Sequence, residues 1–159
     1  TGPDGPRQEN MMARIRRILH PTDFSSASRA AFKRALELAR TSRAQLIIAH
    51  VIEPTVPMVG EGYIPPQTYE AIEASTRAYA KRELDKVVKQ ARKAGVRATA
   101  RILEGTPHER IVRTARGLRA DLIVMGTHGR AGLARLILGS VTGRVIAMAH
   151  CPVMTVRGK

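Results

Sequence analysis

The feature that most constrains this chain is a pair of short, unbroken apolar runs set among segments of helical periodicity. Leu46–Ala49 and Leu122–Met125 carry no polar residue. Such runs suit strands covered on both faces. They are far shorter than the roughly 20 residues that a membrane-spanning helix needs. A third strand is expected over Ile15–His20, ending at Pro21-Thr22-Asp23.

The intervening segments repeat every three to four residues. After Ser25 and Ser26, both suitable N-caps, Ala31, Ala35, Leu38 and Ala39 mark a helix over 27–40. Its alanines let it lie close against a sheet. Pro54, Pro57, Gly60, Gly62, Pro65 and Pro66 then predict a loop over 53–66. Tyr69, Ile72, Thr76, Tyr79, Leu84, Val87, Val88 and Ala91 predict a long helix from Gln67 to about Ala94, stopped by Gly95.

Val96–Leu103 alternates, with Arg97, Thr99 and Arg101 on one side, as expected of a strand near a sheet edge. Thr106-Pro107-His108-Glu109 reads as a capping box opening a helix through Ile111, Val112 and Ala115. Asp121–Gly126 gives another central strand, followed by a helix over 140–149 and a last strand over 152–157. The order β-α-β-α-β-α-β-α-β implies an α/β fold. We expect a single doubly wound, five-stranded parallel sheet, strand order 3-2-1-4-5, with helices on both faces. Residues 1–12 are expected to form a flexible tail and 13–159 the domain. The tail is polar and lacks the apolar core of a signal peptide, so the expected address is cytoplasmic.

Ligands of such sheets bind beyond the carboxyl ends of the strands, where the order reverses. Here that lies between the first and fourth strands, flanked by Pro21-Thr22-Asp23 and Gly126-Thr127-His128-Gly129. Gly126 and Gly129 are followed, after nine residues, by Gly139-Ser140, then Val141 and Thr142. Glycines let backbone amides approach an anion, and a helix start offers free N–H groups. Ser140 and Thr142 add hydroxyls and Arg130 adds charge, so the pattern suits phosphate.

The spacing Gly126-x-x-Gly129, nine residues, Gly139-Ser140 resembles the signature of the ATP-binding branch of the universal stress protein family. ILHPTDFS, AHVIEP, TPHERI, DLIVMGTHGR and HCPVMTVR extend the resemblance from Ile15 to Arg157. The resemblance implies that Pro21, Thr22 and Asp23 contact adenosine and that Val51 meets adenine. Met125 and Gly126 would line the ribose and base side. Gly129, Arg130, Gly139, Ser140, Val141 and Thr142 would hold the phosphates of ATP, with Mg2+ or Mn2+ bridging them. It also implies a homodimer through the last strand. Independently, Val153, Met154 and Val156 make an apolar edge that pairing would cover.

A binding protein that acts as a nucleotide-dependent stress sensor, read by an unknown protein partner, is expected rather than an enzyme. Neither GxxxxGK[ST] nor GxGxxG occurs, so ATP hydrolysis would be slow at most. No His spacing suits a metal, and Cys151 beside His150 is expected to be a small packing residue. The net charge of +14 raises nucleic acid or an acidic membrane surface as an alternative partner. The basic residues, 21 Arg and 6 Lys, are spread along the chain, which favours a solvated basic surface instead. Two Phe, three Tyr and no Trp argue against base stacking. A nucleotide-free interaction dimer is the remaining alternative.

Overall fold

A computed structural model describes residues 15–54, 64–127 and 138–158. Five strands, β1 (Arg17–Pro21), β2 (Gln45–Ile52), β3 (Ala98–Glu104), β4 (Leu122–Gly126) and β5 (Val153–Val156), alternate with four helices. The helices are α1 (Ser26–Ser42), α2 (Pro66–Lys93), α3 (Pro107–Gly117) and α4 (Ser140–Met148). All pairings are parallel and the order is β3-β2-β1-β4-β5, as the sequence predicts.

Strand period alone sorts the core into two layers. Ile18, Leu46, Ile48, Leu122 and Val124 pack with Ala31, Phe32 and Ala35 of α1 and Leu84, Val88 and Ala91 of α2. Leu19, Ile47, Ala49, Ile123 and Met125 pack on the other face with Ile111, Val112 and Ala115 of α3 and Val145 of α4. Each fully buried aliphatic side chain contributes about 1.5–3 kcal/mol. The three central strands therefore hold the frame from which the loops project.

Three local expectations change. The alternation of β3 is incomplete: Ala98 is buried but Ala100 is exposed, because an edge strand lacks cover along its length. Thr106 caps α3 only through its backbone, without a side-chain hydrogen bond, so the capping box does not close. The apolar stripe of α2 is buried only from Ala80 onward, through Leu84, Val88 and Ala91. Ile72 and Tyr79 remain exposed. Gly95 does follow α2 with a φ of +82°, the left-handed stop that glycine adopts without strain.

Candidate functional site

The pairing of β1 with β4 runs only through Ile18↔Leu122 and Leu19↔Ile123. Beyond it lies Pro21, which has no N–H to donate. His20 bridges the two strands instead, its Nδ1 donating to the Val124 carbonyl at 2.8 Å. A carbonyl only accepts, so Nδ1 carries the ring proton. Complete burial pushes the His20 pKa down to about 4, outweighing the Val124 hydrogen bond and the charge of Asp23. The ring is therefore neutral near pH 7.

Pro21 and Thr22 are buried and Asp23 is half-buried at the mouth of this gap. The Thr22 amide donates to Ala49 O at 2.8 Å, and its carbonyl accepts from His50 Nδ1 at 2.8 Å. Asp23 Oδ1 accepts from the Ser25 amide at 3.0 Å and from Ser28 Oγ at 2.6 Å. Burial raises the Asp23 pKa, but hydrogen bonds from Ser25 and Ser28 together hold it below the usual carboxylate range. Asp23 is thus a fixed anion that ties the end of β1 to the first turn of α1. Ser25 is the N-cap of α1, accepting from the Ser28 amide at 3.2 Å.

The opposite wall is the end of β4. Gly126 is buried against α1: an added Cβ would stand 2.9 Å from Ala27 C and 3.0 Å from its Cβ. Close helix packing is therefore sufficient reason for glycine at 126, whatever ligand it meets. Thr127 then anchors α4, its carbonyl accepting from the Gly139 amide at 2.8 Å. Thr142, expected as a phosphate donor, instead donates its hydroxyl to Gly126 O at 2.9 Å and is buried. It fastens the helix to the strand.

What remains open is the start of α4. Gly139 is its N-cap, and among the described residues no side chain caps the helix. The first turn of an α-helix has N–H groups with no intrahelical partner. No acidic residue stands in that turn, and Ser140 is exposed. Val141 is half-buried against the α3–α4 core layer. Uncapped amides, the positive end of the helix dipole and a hydroxyl suit an anion.

Val51, at the end of β2, and Met125 pack into the same α3–α4 layer, with Val51 half-buried and Met125 buried. The fold thus gathers Pro21–Asp23, Val51, Met125, Gly126 and Gly139–Thr142 at the carboxyl edge of the sheet. Gly129 and Arg130 lie outside the described residues. Three contributors were not assigned from the sequence: Phe24, His50 and Thr127. Phe24 holds a φ of +64° and stacks on His50 with ring centroids 4.6 Å apart. Only the parallel pairing of β1 with β2 brings these two rings together, so no local motif announces them.

Among the described residues no cluster of three His, Cys, Asp or Glu side chains could hold a metal ion. Cys151 is half-buried, and burial, with the charge of Asp121, pushes its thiol pKa up. That environment disfavours the reactive thiolate. Among the described residues no helix is long and apolar enough to cross a membrane.

Comparison with known proteins agrees with this fold. A model of the universal stress protein family matches residues 14–157. The chain is 40% identical over 144 residues to universal stress protein MJ0531 of Methanocaldococcus jannaschii, covering 89% of this chain and 82% of that one. Among solved structures, MJ0577 of the same organism superposes with a TM-score of 0.79 at 30% identity, covering 91% of this chain and 97% of that one. A universal stress protein solved in complex with cAMP superposes with a TM-score of 0.65 at 25% identity, covering 91% and 98%.

Proposed function

Because the chain belongs to the universal stress protein family, we propose that its carboxyl-edge crevice binds an adenine nucleotide, ATP by the glycine signature, and that occupancy reports stress to a partner protein. The observation that carries this reading is the uncapped start of α4, held by Gly139 N–Thr127 O beside the β1–β4 gap. Ser140 and Val141 present backbone amides to the phosphates, joined by Gly129 and Arg130, while Gly139, its own amide held by Thr127 O, leaves room for the anion at the helix start. Thr142 serves by fixing the helix rather than by donating its hydroxyl. Pro21, Thr22, Asp23, Val51, Met125 and Gly126 form the adenosine side.

A divalent ion, Mg2+ or Mn2+, would be held through the phosphates. The protein is a binding protein in this reading, not an enzyme. Two copies pair through β5 into a cytoplasmic homodimer.

Titration calorimetry of magnesium ATP into nucleotide-free protein, beside a Gly139→Asp variant, tests the site. Aspartate is a good N-cap, so it would take up the open amides itself while placing a carboxylate where phosphate belongs. The variant should fold at least as stably as the parent and lose micromolar binding. A parent that binds no adenine nucleotide sinks the reading.

A further inference from the structure

The basic residues that look scattered in sequence meet at one end of the molecule, the amino edge of the sheet, opposite the crevice. Three backbone hydrogen bonds join the strand starts into one row: Gln45 N to Arg16 O, Leu46 N to Arg97 O, and Asp121 N to Arg17 O. Three of the four helices that run back to this edge end there with cations, α4 being the exception. Arg40 and Arg43 close α1, Arg92 and Lys93 close α2, Arg116 stands in the last turn of α3 and Arg119 follows it. All are exposed. Across 15–17, 40–45, 92–98 and 113–121 there are ten Arg and Lys and a single carboxylate, Asp121. That carboxylate already accepts the Arg16 and Arg17 amides, both at 2.9 Å. None of these cations is ion-paired with another described residue.

Some of this charge has a local reason. Cations near helix C-termini complement the dipole. Arg92 donates to Ala98 O, Arg97 to Arg43 O and Arg17 to Leu118 O.

The dipole accounts for a cation near these helix ends but not for arginine at the left-handed positions 43 and 119. Both sit in the left-handed region, with φ of 55° and 51°, at the stops of α1 and α3. A non-glycine residue there is sterically disfavoured, and Gly95 fills the corresponding place after α2. Of the three helices that stop through a left-handed residue, two thus hold arginine where the backbone geometry favours glycine. Strain of this kind is tolerated where the side chain has a use.

We infer that this pole binds the phosphodiester backbone of a nucleic-acid duplex without reading its sequence. The row from Arg97 on the β3 side to Arg119 on the β4 side crosses three inter-strand spacings, about 14 Å. That is comparable to a major groove about 12 Å wide. Arginine suits phosphate by its planar, bidentate donors. None of the exposed large apolar side chains among the described residues belongs to the segments that carry these cations: Ile64, Ile72, Tyr79 and Leu138 lie apart from them, and Ile146 and Met148 stand in the last turn of α4, beyond the row on the β5 side. A membrane surface would call for apolar anchors, and single strands for aromatic platforms. A duplex backbone needs only charge. This inference is independent of the nucleotide reading.

The test is fluorescence anisotropy with a labelled mixed-sequence DNA duplex of about 20 base pairs, over roughly 50–200 mM salt. The full chain is compared with Arg43→Gly/Arg119→Gly, Arg43→Lys/Arg119→Lys and, away from the pole, Lys33→Gln/Arg82→Gln. Affinity of the glycine pair should fall roughly tenfold to a hundredfold, and the log–log salt slope by about 2. Its thermal midpoint should hold, since glycine relieves the left-handed backbone. The lysine pair, which keeps both charges, should stay within about threefold with an unchanged slope, and the control pair within about twofold. Equal losses in the glycine and control pairs would reduce the effect to net charge and overturn the inference. So would failure of the parent to bind the duplex at the lowest salt. Binding to vesicles with 30% phosphatidylglycerol in place of the duplex would overturn it too.

Discussion

A side-chain carbon on Gly126 would stand 2.9 Å from the carbonyl carbon of Ala27, so the end of β4 and the first turn of α1 meet backbone to backbone. Gly158 approaches the same residue, with a virtual Cβ 2.9 Å from Ala27 Cα. Two strand ends are thereby pressed onto one helical turn, the turn that Asp23 and Ser25 organise. Gly126→Ala should cost about 1–3 kcal/mol by overpacking, because backbone cannot yield as a flexible side chain does. Urea denaturation checks it. An unchanged midpoint would mean that this contact is looser than its geometry.

The buried His20 gives the fold a pH dependence of calculable sign. Its pKa is about 4 folded against an ordinary value of 6.5. The unfolded chain therefore takes up a proton that the native protein refuses. The stability present above pH 6.5 declines as pH falls toward 4, by about 3 kcal/mol in all, and then levels. Asp23, whose pKa lies below 3.8, loses its contribution only below that window. His20→Asn keeps an N–H for Val124 O and removes the titration. Denaturation of the variant and the parent at pH 7, 6 and 5 should converge as pH falls. Parallel curves would contradict the assignment.

The two helix caps make a matched pair. Ser25 Oγ accepts the Ser28 amide, whereas Thr106 makes no such bond. Ser25→Ala should destabilise by about 1 kcal/mol and Thr106→Ala by only a few tenths. A calorimetric comparison of thermal midpoints reads the difference. Equal shifts would show that both caps act through the backbone alone.

The contrast between Ser25 and Thr106 also marks where sequence reading stops. The apolar runs Leu46–Ala49 and Leu122–Met125 fixed strand class and order, because burial on both faces leaves a direct compositional trace. The edge position of β3 followed from Arg97, Thr99 and Arg101 in the same way. A cap, by contrast, depends on whether a hydroxyl reaches an amide a few ångströms away, and Thr106 has the right pattern without the bond.

At the site, Gly126 and Gly139 were legible as one glycine pattern, yet they do different work. Gly126 is glycine for the sake of Ala27, while Gly139 leaves α4 uncapped. His20, His50 and Phe24 carry no spacing signal, since their contacts cross between strands. The cations of the amino edge are hidden in the same way: Arg43 and Arg119 lie far apart in sequence and become neighbours of one row only when β1 is flanked by β2 and β4.

The last prediction concerns the free edge of β5. Ile123 N donates to Pro152 O, and Thr127 N to Val156 O, both at 3.0 Å. Alternation along a strand then turns the backbone groups of 152, 154 and 156 toward β4 and those of Val153 and Thr155 outward. Thr155→Pro removes an outward N–H and leaves the inner ladder intact, a position where an edge strand tolerates proline. If two copies pair through β5, light scattering should find twice the 17.4 kDa chain mass for the parent and the single mass for the variant. Circular dichroism of the variant should stay that of the parent. A dimer that survives Thr155→Pro would move the contact off this edge, and a monomeric parent would remove it altogether.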